Sequence, residues 1–376
     1  MEQNKNKAHF YDLRYEVVTD PGEDIRKHIS NTILGTPGGM LYRLKDSVKK
    51  LDELKNPFFL TLRKGQRLLG TVGLVHRMVK NANITYSSYY VRYFSIFAPM
   101  RSKSRLKNKE SPKRNLLLKQ SNLKEKIVVF FNNMPDLNDK SMDKEIKTIS
   151  YAFIEKENYR SMDFSSMIGY ETVRELNAIF FSRFFPKEKK NVGRILPEEK
   201  EKIIESLKEM YSEYTMFFTD NLFYNDQYFV LRQGDEIVAG VQANPVEFEI
   251  FEMPGFTGKV IMNILPELPL LSRLFQPGKF RFAAFEGIYY KPGYERFLIP
   301  LFESVCAKYG VNIGVTWLDN GSMIFHHLKK IGRMGFFGKL KKTVPGEVRL
   351  KFFNVPEEER MNFYKKPAYI SAYDIT

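Results

Sequence analysis

The sequence closes twice on one pattern. Residues 158–170 read N-Y-R-S-M-D-F-S-S-M-I-G-Y and follow a run of strand formers at 148–154. Residues 320–336 read N-G-S-M-I-F-H-H-L-K-K-I-G-R-M-G-F and follow a second such run at 311–317. Each reads as strand, asparagine, amphipathic helix, glycine–aromatic, strand. A chain that repeats one supersecondary unit has to build two copies of one architecture, which constrains the fold before any local assignment. At 376 residues, 43% of them hydrophobic and 14% aromatic, the chain can bury two cores and is not disordered.

The elements before each repeat also match in order. In the first half, residues 11–18 predict a strand and 23–33 a helix. Leu41, Leu44, Val48, Leu51 and Leu54 share a helical face, and Pro57 ends that helix. Residues 58–63 and 68–79 form a hairpin about Lys64-Gly65-Gln66, and 86–99 a third strand. Ser111-Pro112 opens a helix reaching Met134. A charged linker spans 186–193, and Pro197 opens the next helix. The second half repeats hairpin strands (228–232, 236–246), a Leu- and Pro-rich helical insert (258–275), a strand (280–290) and a helix (294–309) kinked at Pro300. Residues 346–355 are the last strand. The chain is read as two mixed α/β units, 1–190 and 191–376, each a twisted sheet flanked by helices.

This order, with its asparagine–helix–glycine ending, resembles the GNAT acyltransferase fold. The resemblance implies tandem GNAT-like units and an acyl-CoA N-acyltransferase, with acetyl-CoA or a longer acyl-CoA as co-substrate, no metal, and a small-molecule or lipid-like amine as acceptor. The alternative is a catalytically degenerate protein that binds a ligand or partner. The family holds the CoA pyrophosphate on a glycine-containing loop at a helix N-terminus, where backbone N–H groups and the dipole face an anion. In the first unit that place holds Arg101, Ser102, Lys103, Ser104 and Arg105, with serines where glycines belong. In the second it holds Lys291 and Gly293. Asn158 and Asn320 head the two closing helices and complete the cofactor set.

The family also needs a base for the attacking amine and an acid for the leaving thiolate. Glu286 is the lone carboxylate in an apolar strand at the position implied for the base; the other reading pairs it with Arg281. The first unit has Phe94 or Ser95 at that place. The acid's place falls near Ser165 in the first unit and at His327 in the second, where the histidine is either an acid near its working pH or a packed residue.

The remaining features bound the function. Cys306 is the only cysteine, so no intrachain disulfide forms, and its helical context predicts burial. The polar N-terminus carries no signal-peptide core, and no run approaches the ~20 apolar residues that span a bilayer, so a cytoplasmic protein is expected. His76, His326 and His327 lack metal-ligand spacing. A net charge of +15 attracts anions, including an anionic membrane surface. No recognition motif for nucleic acid accompanies it. The apolar insert covers the acceptor site, binds an acyl chain, touches a membrane, or packs between the units.

Overall fold

The computed structural model describes residues 13–35, 38–81, 83–96, 127–137, 146–340 and 345–376. In the first half the elements are β1 (Leu13–Val18), α1 (Glu23–Asn31), β2 (Leu34–Gly35), β3 (Leu41–Leu44), α2 (Ser47–Asp52), β4 (Pro57–Lys64), β5 (Arg67–Asn81), β6 (Ile84–Ile96), α3 (127–132), β7 (Thr148–Glu155), α4 (Tyr159–Met167) and β8 (Glu171–Ser182). The second half holds β9 (Val192–Arg194), α5 (Lys200–Met210), β10 (Thr215–Phe217), β11 (Tyr228–Gln233), β12 (Glu236–Glu252), α6 (Gly255–Asn263), β13 (Phe280–Tyr290) and α7 (Leu298–Lys308). It ends with β14 (Ile313–Asp319), α8 (Met323–Ile331), α9 (Phe336–Leu340), β15 (Pro345–Phe353), α10 (Glu357–Lys365) and α11 (Ala372–Ile375).

One mixed sheet runs through both halves in the order β1-β4-β5-β6-β7-β15-β8-β14-β13-β12-β11-β9. Only β6–β7 and β13–β14 pair in parallel among these neighbours. The centre of the sheet is an exchange. β15, from the second half, lies antiparallel between β7 and β8 of the first. β8 in turn lies antiparallel to β14. Each half thus contributes its closing strand to the other, and the ladders of these strands form only when both halves are present. Arg174 on β8 pins the exchange with paired bonds to Asp319 on β14, at 2.8 and 2.6 Å.

The closing helices begin as their sequences dictate, with one change. Asn158 caps α4, its side chain accepting from the Ser161 N–H at 3.2 Å. In the second unit the cap is Ser322, which accepts from Phe325, and not Asn320. Gly169 (φ +87°) ends α4 in a conformation that favours glycine.

Four expectations are corrected. Leu41 and Leu44 do not belong to a helix; they sit on β3, which pairs with Phe248–Glu252 at the end of β12, so a long-range ladder overrides local periodicity. The charged linker contributes β9, an edge strand on β11. Pro300 does not kink α7, because the helix starts at Leu298 and its first turn needs no N–H from residue 300. A short helix, α9, separates Gly335 from the last strand.

Candidate active site

Two parallel pairings open into clefts, one per half. β6 and β7 pair from Ser87↔Thr148 to Tyr90↔Tyr151 and then diverge, although β6 continues to Ile96 and β7 to Glu155. β13 and β14 pair only at Ala283↔Gly314 and Ala284↔Val315 before they diverge. Such a splay leaves facing backbone groups without ladder partners, which an extended ligand can use.

The first cleft is open. It leads into a cavity of about 300 Å³ lined on the first-half side by Val91 to Phe94 of β6, Ala152 to Glu155 of β7, and Asn158, Ser161 and Ser165 at α4. The cavity continues beneath the second half's sheet, where Phe180, Phe248, Phe280, Phe282, Trp317 and Phe337 surround it. This volume is within the range that holds a small ligand or cofactor arm.

The second cleft is filled. Only about 10 Å³ remains among Glu286, Gly287, Thr316, Leu318 and the chain segment Ala368, Tyr369 and Ile370. That segment is held in place throughout. Ala368 donates its N–H to Asp319 at 2.9 Å, Thr215 donates its N–H to the Pro367 carbonyl at 2.8 Å, and Tyr369 donates its N–H to the Thr215 carbonyl at 3.0 Å. The Tyr369 ring packs among Tyr211, Phe217 and Phe218, with centroids 5.1–5.6 Å apart.

Glu286 belongs to the filled cleft. Its carboxylate accepts from Asn244 Nδ2 at 2.9 Å, from Tyr369 OH at 3.3 Å and from the Ser371 hydroxyl. Burial pushes its pKa up to about 7, a rise that the Ser371 bond opposes. The ion pair with Arg281 does not form; Arg281 bonds the Tyr309 carbonyl instead. His327 is half-buried, 2.7 Å from the Tyr290 hydroxyl through Nδ1, and His326 is exposed. Glu286 and His327 therefore do not meet in the open cavity. Lys291 pairs with Glu236, and Gly293 donates its N–H to Glu295 at 3.0 Å, so this loop spends its cation and its amide on carboxylates of the protein. Asn320 is bonded to Glu175 and Asn177, whereas Asn158 lines the open cavity. Arg101, Ser102, Lys103, Ser104 and Arg105 lie outside the described residues. Cys306 is buried, and burial pushes its thiol well above the usual range.

Sequence reading missed the polar group of the open cavity. Arg92 lines it, beside Asp374 and Tyr90. Asp374 is bound by Arg77 through both oxygens, at 2.5 and 3.0 Å, and lies 3.8 Å from Arg92 Nη1. Lys50 donates to the Thr376 main-chain and hydroxyl oxygens, each at 2.7 Å, and burial brings its pKa down to about 7. The signal was that Arg92 is the one charged residue in β6. The bulge beside it, where Tyr93 and Phe94 oppose the single residue Val72, shifts the register.

The apolar insert, together with the residues 253–257 that lead into it, has two faces. Met253, Pro254 and Phe275 line the cavity, while Phe256, Ile264, Leu268 and Leu270 are exposed. No helix among the described residues is long and apolar enough to cross a membrane.

No protein-family model matches the sequence, and no curated protein matches it. Solved structures do match the architecture. Saccharomyces cerevisiae N-myristoyltransferase with bound myristoyl-CoA is 9% identical over 92% of this chain and 83% of its own, with a TM-score of 0.53. The same yeast enzyme with myristoyl-CoA and inhibitors is 10% identical over 92% of this chain and 81% of its own, at a TM-score of 0.51. The fold is the tandem GNAT fold. At this identity the likeness defines the architecture alone.

Proposed function

We propose that the protein is an N-acyltransferase that binds acyl-CoA in the first cleft and transfers the acyl group to an amine that enters from the second-half side of the cavity. The observation that carries this reading is the asymmetry of the clefts, one open at about 300 Å³ and one filled by residues 368–370. The yeast N-myristoyltransferase of like fold is described with myristoyl-CoA, which supports an acyl-CoA as donor. Residues 1–190 and 191–376 are read as two units that exchange closing strands, the first holding the donor. Arg101, Ser102, Lys103, Ser104 and Arg105 then meet the CoA phosphates, and Asn158 and Ser161 border the pantetheine arm. A cytoplasmic location, where acyl-CoA is available, belongs to the same reading.

The chemistry follows from the cavity wall. The pantetheine amides pair with the unpaired edges of β6 and β7, which brings the thioester to the bulge at Tyr93. A bulge leaves an extra residue outside the ladder, and its backbone N–H is suited to an oxyanion. The amine nitrogen attacks the thioester carbonyl, the C–N bond forms, and the C–S bond breaks to release CoA thiol. Glu155 and Glu157, the lining carboxylates at the end of β7, are placed to take the amine's proton. Glu286 and His327 are proposed for support of the second unit. Glu286 holds the segment that fills the cleft, and His327 packs on Tyr290.

The test is release of CoA thiol from acetyl-CoA and myristoyl-CoA with a panel of amines. Ser161→Trp, which places an indole in the first cleft, is expected to abolish release and the rise in melting temperature that acyl-CoA gives. Release that survives this substitution rejects the first cleft. A melting shift without release for any amine supports the binding-protein alternative.

A further inference from the structure

Arg92 is a buried cation with bonds to spare. It is 6% exposed and lines the cavity, and its Nε and Nη1 have no hydrogen-bond partner among the described residues. Nη2 donates to the Tyr93 hydroxyl at 2.8 Å. The near anion is Asp374, but Arg77 already takes both of its oxygens, and Arg92 stands off at 3.8 Å. Two guanidinium groups therefore face one carboxylate. Lys50 is occupied by Thr376. The other carboxylates of the lining, half-buried Glu155 and exposed Glu157, sit at the end of β7, where water reaches them. A buried charge without a full partner is unfavourable, and a guanidinium with open donors in fixed geometry suits a carboxylate or phosphate.

The backbone is bent to aim this group. Tyr93, directly after Arg92, has φ +52°, a conformation that a bulky residue rarely adopts. Strain of this kind collects at ligand sites, where surrounding contacts hold it. The Arg92 guanidinium lies over the Tyr93 ring at 4.2 Å, so the strained residue supports the cation from one side.

We infer that Arg92 anchors the acceptor, which is an amine carrying a carboxylate or phosphate group and an apolar body that lies among Phe248, Phe280, Phe282 and Trp317. The inference rests on the acyl-transfer reading of the cavity. The anion belongs to the acceptor because the donor's thioester is neutral and its phosphates are at the far end of the pantetheine arm. The acceptor's amine replaces the CoA sulfur on the acyl carbon, one proton leaves the nitrogen, and CoA departs as the thiol. Arg92 takes no part in these bond changes; it sets which amine reaches the thioester.

Trp317 is the only tryptophan of the chain and lines the cavity, so its fluorescence reports occupancy without turnover. The experiment titrates the full-length protein with L-phenylalanine, L-phenylalaninamide and lysophosphatidylethanolamine, for wild type, Arg92→Gln and Arg92→Lys. Wild type is expected to bind at least one anionic ligand about tenfold or more tighter than the amide, in keeping with a charge-assisted bond. The anionic ligand it favours identifies carboxylate or phosphate as the source. Arg92→Gln is expected to lose the preference and Arg92→Lys to keep part of it. Equal binding of acid and amide, no response to any of the three, or a preference unchanged in Arg92→Gln overturns the inference. A fall in melting temperature of Arg92→Gln with the preference intact also overturns it, since Arg92 is then only the partner of Asp374. CoA release from wild type with no anion preference defeats this inference alone. A clear preference without CoA release for any amine defeats the acyl-transfer reading alone.

Discussion

Arg92 and Glu286 occupy the same station in the two halves. Each stands two residues beyond the last parallel pair of its cleft, at Tyr90 and Ala284, and directly before a left-handed residue, Tyr93 (φ +52°) or Gly287 (φ +54°). Each left-handed residue begins a bulge in which two residues oppose one, Tyr93 and Phe94 against Val72, and Gly287 and Ile288 against Val241. The surroundings then separate their uses. Glu286 is satisfied by Asn244, Tyr369 and Ser371 in a filled cleft, and Arg92 faces an open one with donors unused.

Glu286 makes stability depend on pH in a stated direction. Its pKa rises from 4.5 to about 7 in the folded protein, chiefly because burial disfavours the charge. Between these values the native state keeps a proton that the unfolded chain releases, so stability falls as pH rises through the window and is level above it. Glu286→Gln removes this dependence. The difference in unfolding free energy between variant and wild type is expected to move in the variant's favour by up to ~3 kcal/mol across the window. Lys50, lowered from 10.5 to about 7, acts with the opposite sign in the adjoining alkaline window. Urea unfolding at a series of pH values is the check, and parallel profiles for the two proteins reject the assignment.

The strand exchange predicts that the halves do not fold apart. Without β15, β7 and β8 lose the strand that joins them, and without β8, β14 loses its antiparallel neighbour. Residues 1–190 and 191–376 expressed separately are expected to aggregate or lack a cooperative melt, and to recover one when produced together. A cooperative melt of either half alone contradicts the exchange as a source of stability.

The filled cleft predicts a large cost for removing its plug. Tyr369 is buried among three aromatic rings and bonds Glu286. Tyr369→Ala is expected to cost ~3–5 kcal/mol, as for other buried aromatic truncations. A loss below ~1 kcal/mol by denaturant titration shows that the segment is not part of the core.

Much of this fold was legible because local chemistry and global order agree at the closing units. The strand, helix cap and terminal glycine of residues 148–170 appear where the sequence places them, since Asn158 and Gly169 act on their immediate neighbours. Features set by distant contacts were not legible. β3 forms because Leu41 to Leu44 meet Phe248 to Glu252, more than half the chain away. The exchange of β8 and β15 leaves no local mark, because either strand has the same alternation in its own half or the other. Ser371 and Tyr369 reach Glu286 only through the tertiary path of the final segment, so the sequence could set Arg281 beside Glu286 but not the partners that bind it. Arg92 was hidden by the bulge, which makes Phe94 and Ser95 the residues that simple counting brings to the site.

The most direct test of the central claim is the stoichiometry of acyl-CoA binding, measured by calorimetry with myristoyl-CoA on wild type and Ser161→Trp under conditions without turnover. One open and one filled cleft predict one molecule per chain for wild type and none for Ser161→Trp, with the variant's melting temperature retained. Two molecules per chain, or one molecule still bound by the folded Ser161→Trp protein, contradicts the assignment of the donor to the cleft between β6 and β7.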